Sequence, residues 1–191
     1  MHLRRALIFP IAIFFLSAWA VKPHVYRNDE FGINVPVPEG TTLCPTPDNE
    51  HDHGPVFVLG AAGTKDCADS ARKRSIEVFA EYNAADATKK LTDFLKWQCA
   101  HIGGGPCGPP PSGLQVPGRT IQAGRVNTPD GWVDVMVVTQ AGKPDPAFDP
   151  SVPSINYTLG LHTETRYLDQ DLRTFRTILG TIRLSPGAPN R

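Results

Sequence analysis

The densest cluster of chemistry-bearing side chains is Asp48-Asn49-Glu50-His51-Asp52-His53, two histidines and three carboxylates in six residues. Imidazole and carboxylate ligands suit zinc, nickel or copper, and a loop can wrap them around an ion. His51 and His53 are therefore the metal-ligating candidates. A closed site also needs fixed geometry and outer partners for its ligands, which a polar loop supplies poorly. The expected state of this segment is a solvated acidic loop. The four cysteines, Cys44, Cys67, Cys99 and Cys107, show neither a CxxC pair nor zinc-finger spacing with histidine. An even number of cysteines in an exported chain implies disulfides. Three pairings are possible. Cys44–Cys67 with Cys99–Cys107 is favoured because each pair then flanks one loop. Closing those loops contributes about 3.5 and about 2.5 kcal/mol in the chain-entropy picture.

Nucleophilic catalysis finds no recognisable set. There is no G-x-S-x-G, and Ser112 and Ser154 sit among prolines and strand residues. His24, His101 and His162 are isolated in sequence and are expected at the surface or at helix ends. Oxidised cysteines offer no thiolate. Gly103-Gly104-Gly105 follows a helix rather than joining a strand to one, so it reads as a helix stop and not as a phosphate cradle. Trp97, Trp132 and Tyr157 could line a binding face but are expected in or near the core. No catalytic residue and no cofactor is expected from these patterns.

The elements that would position any site begin after a leader. Arg4 and Arg5 precede an apolar run over residues 6–16, and Ala18 and Ala20 give the small-x-small pattern read by signal peptidase. The run is too short to span a bilayer comfortably, and no second stretch reaches the length of a spanning helix. Residues 1–20 are expected to be a cleaved signal peptide, 21–185 one globular domain and 186–191 a disordered tail. Removing twenty of 191 residues leaves 171, which suits a single core. Nineteen basic residues balance nineteen acidic ones in the whole chain, and losing Arg4 and Arg5 leaves 17 against 19. No basic stripe remains to hold nucleic acid or an anionic membrane. The expected location is the periplasm or the exterior.

Hydrophobic periodicity divides the domain. Phe31, Ile33, Val35 and Val37 alternate as a strand that Pro36 and Pro38 confine to an edge or terminate. Residues 39–54 are expected to form a loop. Residues 56–59 form a short apolar strand, and 75–82 alternate again, with Ile76, Val78 and Ala80 opposite Glu77 and Glu81. Asn83 with Asp86 resembles a helix cap, and Ala87, Leu91, Phe94, Leu95 and Ile102 follow helical spacing, so a helix is expected over 84–101. Eleven prolines or glycines among residues 103–118 leave that loop too donor-poor to join a sheet. Pro129-Asp130-Gly131 turns a hairpin between strands at 119–128 and 132–140. A second Pro-rich loop covers 141–153, and a strand carries Ile155, Tyr157, Leu159 and Leu161. A helix over 164–179 is stopped by Gly180 as a left-handed cap, and 181–184 close as a strand. The order is β-β-β-α-β-β-β-α-β, an α/β class with a mostly antiparallel sheet and two packed helices.

Three segments resemble the PsbP-like family: residues 26–36, where an aromatic-glycine pair enters a strand ending in proline; the strand-to-helix step over 75–101; and the closing residues 175–185. The resemblance implies an α/β/α sandwich found in thylakoid-lumen and periplasmic proteins. It implies a non-enzymatic binding or assembly factor whose partner is another protein. Some small periplasmic proteins of this look serve as immunity proteins against toxins delivered by type VI secretion. The competing expectations are a small-ligand or metal-binding periplasmic protein around His51 and His53, and a cell-wall hydrolase with an unrecognised site. The long Pro/Gly loops are the expected protein-facing surface. If the cysteines are paired, alkylation of the unreduced, unfolded protein followed by mass spectrometry will detect no free thiol; four alkylated cysteines would refute the disulfide framework.

Overall fold

The computed structural model describes residues 24–44, 52–60, 67, 73–84, 87–103, 105–142 and 154–185. The expected signal peptide, His51, nearly all of the second Pro-rich loop and the C-terminal tail lie outside the described residues. Among the described residues no helix is long and apolar enough to cross a membrane.

The elements are β1 (Val25–Asn28), β2 (Ile33–Pro36), β3 (Thr41–Cys44), β4 (Val56–Leu59), β5 (Ser75–Tyr82), α1 (Leu91–Gly103), β6 (Ile121–Asn127), β7 (Trp132–Gly142), β8 (Ser154–Glu164), α2 (Leu168–Thr181) and β9 (Arg183–Leu184). A three-stranded sheet runs β1-β2-β9 and a six-stranded sheet runs β3-β4-β5-β8-β7-β6, with antiparallel pairing throughout. The fold is α/β with a mostly antiparallel framework and two packed helices. Five strands precede α1 rather than three. The two extra ones, β1 and β3, are four residues long and lack the alternation that marks their neighbours.

Alternation sets which face each strand buries. Ile76, Val78 and Ala80 of β5, Val133, Val135 and Val137 of β7, and Ile155, Tyr157, Leu159 and Leu161 of β8 form one apolar surface. Leu172, Phe175, Ile178 and Leu179 of α2 pack on it, together with Phe31, Ile33 and Val35 from the small sheet. The opposite face carries a smaller cluster, where Phe94, Leu95 and Cys99 of α1 meet Val126, Met136 and Val138. The helices therefore lie on opposite faces of the large sheet, in α/β/α layers. Tyr157 is fully buried and donates its hydroxyl to the Phe31 carbonyl at 2.6 Å, tying the two sheets together.

Several local expectations are corrected. The helix begins at Leu91, not near residue 84. Asn83 Oδ1 accepts from the Thr88 amide at 2.8 Å, while its amide group donates to the Thr88 carbonyl and the Ser154 hydroxyl. These bonds close a turn and anchor it to β8, so the cap-like residue caps no helix. Gly180 remains helical, and α2 ends at Ile182, whose extended backbone donates to the Ile178 carbonyl. The first Pro-rich loop joins the sheet after all at one residue, since Gly108 and Arg125 exchange both backbone bonds. The hairpin at 128–131 is present, with Gly131 at φ +88° and the Thr128 amide bonded to the Trp132 carbonyl at 2.9 Å.

One buried ion pair fastens α2 to the sheet. Arg74, just before β5, gives Asp171 a two-pronged contact at 2.8 and 2.5 Å. Thr163 of β8 donates to the same carboxylate, and Tyr167 lies under the guanidinium at 3.9 Å. The Asp171 side chain is 3% exposed. Removing one partner of such a pair strands a charge in the interior, whereas replacing both with apolar groups is often neutral. Asp171→Ala is expected to cost about 3 kcal/mol in urea unfolding, and Arg74→Met with Asp171→Leu to recover most of that loss.

Candidate functional site

Residues singled out by sequence fall in separate places. His53 is half-buried ahead of β4, with its ring between Phe31 (5.5 Å) and Phe79 (4.9 Å) and its Nδ1 2.8 Å from the Ala80 carbonyl. Asp52 accepts from the Tyr26 hydroxyl at 2.5 Å and from the Gly54 amide at 3.0 Å. Gly54 is required where it stands: its φ is +137°, and a Cβ would meet the Val78 carbonyl oxygen at 2.0 Å. The end of the acidic segment is thus packed against β1 and β5 rather than solvated. Among the described residues no group of three histidine, cysteine or acidic side chains is arranged to hold a metal.

The cysteines join as Cys44–Cys67 and Cys99–Cys107, with Cα separations of 5.3 and 5.5 Å. The second bond ties α1 to the Pro-rich segment 105–118. That segment is a strap around the open edge of β6, and covering an edge removes a template for unwanted strand pairing. It is held by the disulfide and the Gly108–Arg125 bridge, by Val116 buried in the main core, and by the Ser112 carbonyl, which accepts from Arg176 of α2 at 2.9 Å. Gly124 makes room for the disulfide, since a Cβ there would lie 2.6 Å from Cys107 Sγ.

Helical spacing leaves α1 with a covered and an open side. Phe94, Leu95, Gln98 and Cys99 are buried, and Gln98 donates to Thr158 of β8 at 3.0 Å. On the open side Trp97 is 50% exposed, the large apolar side chain left at the surface among the described residues. Its ring lies 3.9 Å from that of His101, tilted by 31°, and His101 Nδ1 lies 2.8 Å from the Trp97 carbonyl, so both rings are held in place. Grooves flank the helix. One, of about 500 Å³, runs past Trp97, Phe94, Asp93 and Lys89 to Glu81 of β5. The other, of about 570 Å³, lies between Leu95, Lys96 and the strap at Pro106 and Pro109. An anchored tryptophan on the wall of one groove, with a proline-rimmed groove on the other side of the same helix, is the geometry of a contact surface.

The three aromatic residues flagged from sequence separate cleanly. Tyr157 is core, Trp97 is exposed, and Trp132 is half-buried and stacks on His162 at 4.4 Å. His162 is not isolated: its Nδ1 lies 2.6 Å from Asp134 Oδ1 on the neighbouring strand. A partner 28 positions away, across an unknown register, leaves no local sequence signal beyond one acidic residue inside an apolar run.

No family model and no curated protein matches the chain. Among solved structures the chain is similar to the solution structure of the cyanobacterial PsbP, CyanoP, from Synechocystis sp. PCC 6803, at a TM-score of 0.42 and 14% identity, over 85% of this chain and 92% of that one. That degree of likeness bears on neither activity nor partners. For His53, a packing role predicts that His53→Ala lowers stability by about 2 kcal/mol through lost ring contacts and a lost hydrogen bond. A role in metal binding would instead show as a zinc-dependent rise in the melting temperature of the wild-type protein that the variant lacks.

Proposed function

We propose that this protein is an exported, non-enzymatic module that grips another protein through the open side of α1. Immunity against a toxin delivered by type VI secretion is its sharpest form. The observation that carries the reading is Trp97, half exposed yet held by His101, on the wall of a groove along α1. Tryptophan buries a large area on contact at little cost in side-chain entropy, and such residues dominate the energetics of protein interfaces. The strap that lines the groove on the other side of α1 is already ordered by a disulfide and by prolines, so little freedom is lost when a partner arrives. Export is supported by the basic and apolar leader and by two disulfides, which persist in oxidising compartments.

The test compares wild-type protein with Trp97→Ala, both oxidised, in affinity capture from cell-envelope extract and then in binding to the purified partner. One stoichiometric partner is expected. Trp97→Ala should weaken it about thirtyfold, corresponding to about 2 kcal/mol, without changing the melting temperature. Equal affinity for both proteins would place the contact elsewhere. Failure to protect cells from the partner would remove the immunity form and leave the binding one.

A further inference from the structure

A second concavity lies on the α1 face of the large sheet, at the end that α1 does not reach. Strand register builds it. Ser75 pairs with His162, and His162 with Asp134, so these three side chains form one row across β5, β8 and β7. The next row on the same face is Glu77, Gly160 and Met136. Gly160 leaves a gap in the floor, since a Cβ built there meets nothing within 4 Å. The resulting cleft is about 340 Å³, lined by Ser75, Glu77, Thr128, Asp134, Gly160 and His162.

The polar groups in this cleft are unevenly satisfied. Asp134 is engaged by His162, and the Thr128 hydroxyl by Asp130 and the Trp132 backbone. Ser75 is 8% exposed, and since no buried side-chain polar atom is left unsatisfied among the described residues, its hydroxyl, which makes no side-chain hydrogen bond there, is reached from the cleft. A hydroxyl that opens into a cleft and is not committed to the protein is available to a ligand there. Glu77 likewise lacks a partner there, and the surrounding walls push its carboxyl above the usual carboxylate range by desolvation, although its exposed side chain lets solvent screen part of that penalty.

The chemistry of a ligand suited to the cleft follows from which atoms remain. In the tautomer whose Nδ1–H faces Asp134, the His162 ring offers Nε2 as an acceptor. Trp132 stacks on the ring and fixes its plane. Glu77 is an acceptor, and the Ser75 hydroxyl accepts as well as donates. Directly opposed side chains on neighbouring strands sit about 5 Å apart at Cβ and diagonal ones about 7 Å. Ser75, His162 and Glu77 therefore surround a space the size of one small head group. The same inventory argues against acyl transfer at Ser75. An ionised Glu77 would oppose an oxyanion, and the backbone amides on both sides of this central strand are committed to the sheet ladders.

We propose that the cleft formed by Ser75, Glu77, Gly160 and His162 binds the primary ammonium or guanidinium group of a small organic cation. The cation supplies positive charge to Glu77 and several N–H donors to three convergent acceptors. The site is separate from the α1 surface, so it stands or falls independently of the protein-binding reading.

The experiment is an NMR amide titration of the oxidised wild-type protein with n-butylammonium and with ethylguanidinium, with acetate as the anionic control. Saturable shifts at residues 75–77 and 160–162 with either cation, and none with acetate, are expected. Glu77→Gln should weaken binding at least tenfold. Gly160→Val should abolish it while leaving the protein folded, because the added methyls fill empty space and β-branched residues suit strands. Trp97→Ala should leave it unchanged. Absence of saturable shifts with both cations, or equal affinity in Glu77→Gln and Gly160→Val, would overturn the proposal.

Discussion

The structure depends on one constraint: β8 and its neighbours are buried on both faces, but one face offers far more apolar surface than the other. On the α2 side the inward positions of β5, β7 and β8 are apolar except for Thr139 and Thr163. Such a surface closes completely, because each buried aliphatic or aromatic side chain contributes roughly 2 kcal/mol relative to exposure. On the other side the apolar residues stop at Met136, Val138 and Val126. A single helix satisfies that patch. Where that patch ends β5 and β8 present Glu77, Glu81 and His162, which gain nothing from being covered by an apolar helix face, while Asn156 and Thr158 on the same face are buried and Thr158 is met by Gln98 of α1. The grooves and the cleft are what that asymmetry leaves open.

The Arg74–Asp171 pair works within the same constraint. The α2 face is otherwise almost wholly apolar, and such a surface tolerates more than one helix orientation at similar energy. A bidentate pair with Thr163 as a third partner fixes one rotation and one height of α2 against β5 and β8. The closing strand then follows directly: Ile182 and Leu184 reach the core, and Arg183–Leu184 pairs with β2. The small sheet is thereby held on the α2 side, where Tyr157 receives it through Phe31.

What could be read from the sequence tracks how local each determinant is. Strands β5, β7 and β8 alternate over seven or more residues, and Pro129-Asp130-Gly131 carries its own turn chemistry, so class and hairpin were legible. Strands β1 and β3 were not, because four residues such as Val25-Tyr26-Arg27-Asn28 owe their conformation to a partner strand rather than to a pattern. Asn83 misled because an Asn side chain closes a turn as readily as it caps a helix. The site was less legible still. Trp97 sits within a helical pattern that reads as core, and its exposure depends on where α1 lands. The row Ser75, His162, Asp134 exists only through two strand registers, and the loop between β7 and β8 hides one of them.

Where α1 lands is itself fixed by covalent and edge constraints rather than by hydrophobic area alone. Its apolar patch is small, so packing by itself would let the helix slide toward the unfilled floor at Gly160. The Cys99–Cys107 bond prevents that by joining the helix to a strap that crosses the β6 edge and finishes against α2 through Ser112 and Arg176. Gly124 lets the disulfide sit directly on the sheet, so helix, strap and strand form one contact. Gln98 adds a directional bond to Thr158 on β8. Ordering of this kind costs entropy once, during folding, and the exposed tryptophan and the open cleft then meet their ligands already in place. A disulfide beside the helix, and not inside the larger core, is the arrangement expected when the position to be held is the one with least burial to hold it.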